Sequence, residues 1–392
     1  MHGPDSGPLT GSTGEQIRLP FVLMRGGTSK AVFLTGSVLP EDHGGRDAAI
    51  LSLFGSPDPR QVDGLGGADL LTSKLAIIDP PTRSDADLDY TFAQVSVAQP
   101  VVDFDINCGN ISAAVGAYAV DEGLVTPVAP VTSVRIHNTN TGRVLVAEVT
   151  VIDGVAAVEG NHVVHGVPGT GAPIALDFGQ TAGGITGSLL PTGREVDVLD
   201  TAIGPIRATI MDLANLTVFF TAADVGMAGT EGPEDFSEGQ MAAIEAVKKA
   251  AAELLGIATD GLTPVPAVVS PSADYTNYTT GGPVGSDQVD LIARVVGGRP
   301  AVPHKAYPGT LAACTGVAAC IPGTTVHGVA GQQRDGEIRI GHPCGVMPVQ
   351  VDVTPDGSDW TVDRAVFHRT ARRLAEGTAL IRRSSVSGVT GS

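Results

Sequence analysis

Basic residues are scarce in this chain of 392 residues: 24 lysines and arginines stand against 42 aspartates and glutamates, for a net charge of −18. Binding to a phosphate backbone draws on clustered cations, so nucleic acid and anionic membrane surfaces are disfavoured as partners. A small anion is still open as a ligand, because a few donors in one cleft set the local potential. No apolar run approaches the ~18 residues of a membrane span, and residues 1–16 carry neither a basic nor an apolar leader segment. A cytoplasmic protein with a frayed, disordered tail over residues 1–16 is expected. There are four cysteines, Cys108, Cys314, Cys320 and Cys344, and no Cys-x-x-Cys pair. That excludes a disulfide framework and leaves them of interest as thiols.

Familiar motifs are missing as well. The nine histidines show no metal-ligand spacing, and neither His-Glu-x-x-His nor Gly-x-Ser-x-Gly occurs. The segment DGLGGAD fails as a dinucleotide fingerprint, since Asp69 holds the place of its last glycine. Lys30 and Lys74 each follow Thr-Ser, yet Ala31 and Leu75 stand where a phosphate-binding loop needs a hydroxyl. No metal and no cofactor are expected.

What is present is apolar and rich in turns: 42% hydrophobic and 17% charged residues, with 51 glycines and 27 prolines. Such a chain buries a core, and its length suggests two or three of them. From Ile17 to about Val102, short apolar runs broken by glycine read as buried strands. Asn110 to Glu122 has helical spacing, carries no charge before Asp121 and ends at Gly123, so it reads as a buried helix. Ser237 and Gln240 form a capping box before the amphipathic MAAIEAVKKAAAELLG, with both lysines on its polar side. His137, His162 and His165 read as turn or strand-edge residues, and Cys314 and Cys320 as core thiols.

The second half repeats the first. Gly309-Thr310 opens an uncharged small-residue segment much as Cys108-Gly109 does, with a glycine- and proline-rich boundary near residue 190. Two related α/β domains, 17–190 and 191–392, are expected to face each other across a ligand. The C-terminal strands could return to the first domain.

Three segments bear chemistry. Arg25 to Lys30 is either an N–H nest for a carboxylate or a tight turn beside a surface lysine. Lys74 enters the apolar run Leu75 to Ile78, so it either snorkels to water or is desolvated toward the pKa of a useful base. Cys108, between Asn107 and Gly109-Asn110, is either a small core thiol or a reactive one. At a helix start it faces positive dipole and free N–H groups that suit an oxyanion.

Seven stretches carry a wider resemblance: MRGGTSK (24–30), GSPDPRQVDGLGGADLLTSKLAI (55–77), NCGNISAAVGAYA (107–119), RIHNTNTG (135–142), LLPTG (189–193), IPGT (321–324) and IGHPCG (340–345). With them the chain resembles the PrpF family of isomerases, whose fold is like that of diaminopimelate epimerase. Its members include 2-methylaconitate cis-trans isomerase, 4-oxalomesaconate tautomerase and 3-methylitaconate delta-isomerase. The resemblance implies an α/β fold of two similar domains, each a curled sheet around a central helix. It implies a cofactor-independent isomerase of a small unsaturated di- or tricarboxylate, with Lys74 and Cys108 as proton-transfer groups. Gly26, Gly27, Thr28, Ser29 and Thr310 are implied to hold substrate carboxylates. Asn107, Gly109, Asn110, His342 and Cys344 complete the expected contacts, and a homodimer is an open expectation. One departure is Cys344, where the family usually has serine. It is either an isosteric replacement or a second thiol for a two-base mechanism. Competing readings are a two-cysteine amino-acid epimerase, a Cys108 hydrolase and a non-catalytic carboxylate-binding protein.

Overall fold

The computed structural model describes residues 14–298, 300–331, 336–357 and 359–387. Of the sixteen residues expected to fray, 1–13 lie outside these, and Gln16 already opens the first strand. In the first half, β1 (Gln16–Gly26) runs antiparallel to β2 (Ser29–Thr35), and β2 runs parallel to β3 (Lys74–Asp79). β3 then pairs antiparallel with β4 (Leu88–Val95), and β4 parallel with the strand Val131–Asn138. That strand forms a hairpin with Arg143–Ile152.

The second half lays down the same order. Gly204–Leu213, Asn215–Thr221, Val265–Pro271, Leu291–Gly297, Glu337–His342 and Gly345–Asp356 pair in turn as antiparallel, parallel, antiparallel, parallel and antiparallel neighbours. The C-terminal strands cross the repeat. Asp359–Arg369 bridges Gly345–Asp356 and Ile174–Asp177, and Ala371–Arg382 pairs along the whole of β1.

Helices fall at matching places. α1 (His43–Phe54) lies between β2 and β3, and α2 (Gly109–Asp121) precedes the 131–152 hairpin. α3 (Glu238–Leu255) and α4 (Gly309–Cys320) occupy the corresponding positions of the second half. α2 is buried from Gly109 to Val120 and α4 from Gly309 to Ala319, which is why neither sequence alternates polar and apolar faces. Glycine lets each pack against its sheet: a Cβ on Gly116 would collide with Ala147, and one on Gly316 with Val351. No helix among the described residues is long and apolar enough to cross a membrane.

Some expectations need correction. α1 stands where only strands were expected, because its two early glycines weaken the helical signal. It is held instead by its ends: the Asp42 carboxylate accepts from Gly45 N at 2.7 Å, and Gly55 stops the helix at φ +72°. Lys248 is buried within α3, 3.7 Å from Glu245, while Lys249 alone is exposed. His137 is a buried strand residue whose Nδ1 lies 2.9 Å from Asp89. Cys314 is fully buried and Cys320 only partly.

Candidate active site

Lys74 is the first residue of β3 and pairs across the sheet with Gln94 of β4. The loop before it is built around Gln61, whose side chain accepts from Ala68 N at 2.7 Å and Ser73 Oγ at 2.6 Å and donates to Ser56 Oγ at 2.9 Å. Lys74 leaves this loop with 4% of its surface exposed, so it does not snorkel. Its Nζ donates to Gln94 Oε1 at 2.6 Å and lies 5.3 Å from the centre of the Phe92 ring. Gln94 is itself fixed, since its Nε2 donates to the carbonyls of Ser73 and Leu70. Burial lowers the Lys74 pKa from the ordinary lysine range, and the neighbouring Cys108 and Asp69 partly oppose that shift.

Cys108 is the N-cap residue of α2, and its side chain makes no capping bond. Asn107 turns the chain into the helix: its Oδ1 accepts from Cys108 N at 2.7 Å and from Asn138 Nδ2 at 3.1 Å. Asn215, from the second half, accepts from Asn107 N at 3.1 Å and donates to Thr310 Oγ1 at 3.0 Å. The starts of α2 and α4 are thus tied together, so close that a Cβ on Gly109 would press on Thr310 N and the Phe367 ring. Pro308 caps α4 and, like Cys108, offers no side-chain acceptor. Both helices therefore leave first-turn N–H groups without a capping partner, as an anion site requires.

Lys74, Cys108, Asn107, Asn110, Thr28 and Ser29 line one cleft, together with Asn215, His304 and an apolar wall that includes Val265, Val295 and Leu311. Among the described residues no carboxylate lines it. His304 keeps part of its surface open, yet burial first and the Lys74 charge second push its pKa down to about 4, so it is neutral at physiological pH.

The remaining expected residues fall elsewhere. Gly26 and Gly27 do not line the cleft; they make room for α2, because a Cβ on either would overlap Asn110. Gly27 N is already bonded to Thr370 O at 2.9 Å, and φ +47° suits it to glycine. The expected nest is thus reduced to Thr28 and Ser29, with Asn110 Nδ2 donating to Thr28 Oγ1 at 3.0 Å. Thr310 is buried under Asn215. His342 lines a neighbouring cleft, and Cys344 lines neither, its Sγ being held by Lys305 O at 2.8 Å and Thr279 Oγ1 at 3.0 Å. Sequence reasoning missed Gln94, Asn215, His304 and Arg369. Only Gln94 had a local signal, a polar residue on the buried face of β4.

The architecture is that of the proline racemase and epimerase class. A hydroxyproline epimerase from Agrobacterium vitis superposes with a TM-score of 0.58 at 12% identity, covering 94% of this chain and 93% of that one. The family model described as PrpF protein matches residues 16–382, and the chain belongs to that family of isomerases. It is 48% identical to a 3-methylitaconate isomerase of Eubacterium barkeri, over 95% of this chain and 99% of the relative. A 2-methyl-aconitate isomerase of Shewanella oneidensis is 37% identical (92% and 96% covered), and a (4E)-oxalomesaconate Delta-isomerase of Novosphingobium is 39% identical (92% and 97%). The crystal structure of a methylitaconate-delta-isomerase, 47% identical, superposes with a TM-score of 0.79 over 97% of this chain and 99% of that one.

Proposed function

We propose that this isomerase acts on a short unsaturated di- or tricarboxylate and moves a proton from one carbon to another through a dienolate. The observation that carries the reading is the buried Lys74 amine in an acid-free cleft where two uncapped helix starts meet. A lowered pKa raises the share of neutral amine, the form that can take a proton from carbon. When the C–H bond breaks, its electron pair enters the conjugated system and negative charge grows on a carboxylate oxygen. In this reading the first-turn N–H groups of α2 and α4 receive that charge. The proton then returns to a different carbon, or to the same one after a bond has rotated, from the Lys74 ammonium or the Cys108 thiol. Double-bond shift and cis-trans isomerisation use the same parts, and no electron is gained or lost. The relatives act, by their names, on methylitaconate, methylaconitate and oxalomesaconate, and these names support the same substrate class here.

A two-cysteine epimerase fits less well, because the position matching Cys108 is Pro308. The test is proton NMR in deuterium oxide with each candidate acid. Loss of one C–H signal with appearance of the rearranged acid supports the reading; unchanged spectra with all three classes of acid overturn it.

A further inference from the structure

A second cleft adjoins the first and shares Thr28, Ala306 and Tyr307 with it. Among the described residues no aspartate or glutamate lines it; its polar surface comes from Thr28, Arg369 and the histidines at 162, 165, 342 and 368. Arg369 is 4% exposed, and its donors go to neutral acceptors: Nε to Asn110 Oδ1 at 2.7 Å, Nη1 to His368 O at 2.9 Å and Nη2 to Met347 Sδ at 2.8 Å. Among the described residues no carboxylate pairs with it. A buried cation ordinarily has a counter-ion, and a guanidinium held by a thioether is an anion site short of its anion.

The histidines complete a donor surface. His165 Nδ1 accepts from Val346 N at 2.8 Å and His342 Nδ1 from Cys344 N at 3.3 Å, which leaves Nε2 of each neutral ring to carry the proton. Burial holds both rings neutral, with the Arg369 charge adding to the effect at His342. No three His, Cys, Asp or Glu side chains among the described residues are spaced to share a metal ion. A pocket with an unpaired guanidinium, imidazole N–H groups and a hydroxyl, but no acid, matches a carboxylate.

We propose that Arg369 and the second cleft anchor one carboxylate of the substrate whose reacting carbon lies at Lys74 and Cys108, so that one molecule spans both clefts. The proposal rests on the isomerase reading of the first cleft and adds its selectivity: a second carboxylate is required because it answers Arg369. The continuity through Thr28, with Asn110 joining Arg369 to the start of α2, is what makes one spanning ligand fit better than two separate ones.

The experiment is calorimetry on the full chain with glutarate and with its half-amide, which differ by one negative charge. Wild type is expected to bind one equivalent of glutarate about tenfold more tightly than the half-amide. Arg369→Met should erase that preference. Because Arg369 also holds Asn110, a second variant guards against misfolding. Met347→Glu places a carboxylate beside the guanidinium, supplies the missing counter-ion from within, and should likewise abolish the preference. Lys74→Met should retain it. Two equivalents per chain, or a preference that survives in a folded Arg369→Met or Met347→Glu protein, overturns the proposal. Failure of the underlying reading looks different: an Arg369-dependent preference in a wild-type protein that exchanges no proton of any unsaturated acid. Isomerisation with KM unchanged in Arg369→Met removes the anchoring site alone.

Discussion

The two halves lay their strands down in one order, and each sends a buried, uncapped helix toward the cleft. They differ in what they place at its mouth. The third strand of that order opens with Lys74 in the first half and with Val265 in the second, and both residues line the cleft. Their N-cap positions hold Cys108 and Pro308, the latter a residue with nothing to ionise. Repetition therefore accounts for the frame and divergence for the chemistry. In the proposed reaction the proton-transfer groups come from the first half, while the second contributes N–H donors and an apolar wall against which the amine is desolvated.

Removing the amine should break this asymmetry most severely. Lys74→Met is expected to lower turnover by ~100-fold or more while the circular dichroism spectrum stays that of wild type. Turnover near that of wild type in the folded variant would take Lys74 out of the mechanism. Cys108→Ala should cost less, about tenfold, if the thiol shares in returning the proton. Cys108 should also alkylate faster than Cys314, whose thiol burial pushes up to about 12, and a bound dicarboxylate should protect it, as peptide mass spectrometry can follow. Pro308→Cys puts a thiol at the start of α4, in the place that Cys108 holds at α2. With the base on one side only, it should bring no gain in turnover, whereas a gain would show that the halves are still interchangeable.

A milder change sharpens the comparison through pH. In the proposed mechanism Lys74 is a base in its neutral form, so turnover should fall as pH drops through its lowered pKa and the amine takes up a proton. The Gln94 carbonyl, 2.6 Å from Nζ, favours the ammonium by accepting its hydrogen bond. Gln94→Leu removes that acceptor, and the acid limb of the pH–rate profile should move to lower pH. A limb that stays in place, or moves upward, would show that the titrating group is not Lys74.

How much of this could be read from the chain follows from which forces are local. The uncharged stretches after Gly109 and Gly309 announced two buried helices, because a helix with no polar face has nowhere else to go. Lys74 and Cys108 stood out because each sits at the boundary of an apolar run. Glycine misled at Gly26 and Gly27: a turn that admits a ligand and a turn that admits a helix need the same residue, and here the visitor is Asn110. Arg369 left no trace at all. Its meaning comes from burial, and from contacts with residues 259 and 22 positions away, which no local pattern encodes. Asn215 was hidden likewise, since it acts between the halves, 108 positions from Asn107.

The smallest effect is expected at the one thiol of the second half that invites comparison with Cys108. Cys344 follows Pro343 at the tip of the hairpin that joins Glu337–His342 to Gly345–Asp356. Its Sγ donates to Lys305 O and accepts from Thr279 Oγ1, and burial raises its pKa, so it remains a neutral thiol that lines neither cleft. A hydroxyl can make the same two hydrogen bonds, one given and one received. Cys344→Ser should therefore change turnover by less than about threefold and leave the pH–rate profile where it was, since neither the proton-transfer groups nor their surroundings are touched. A loss comparable to that of Cys108→Ala, with a new limb in the profile, would instead place a base on each side of the substrate and restore the symmetry that the rest of the cleft has lost.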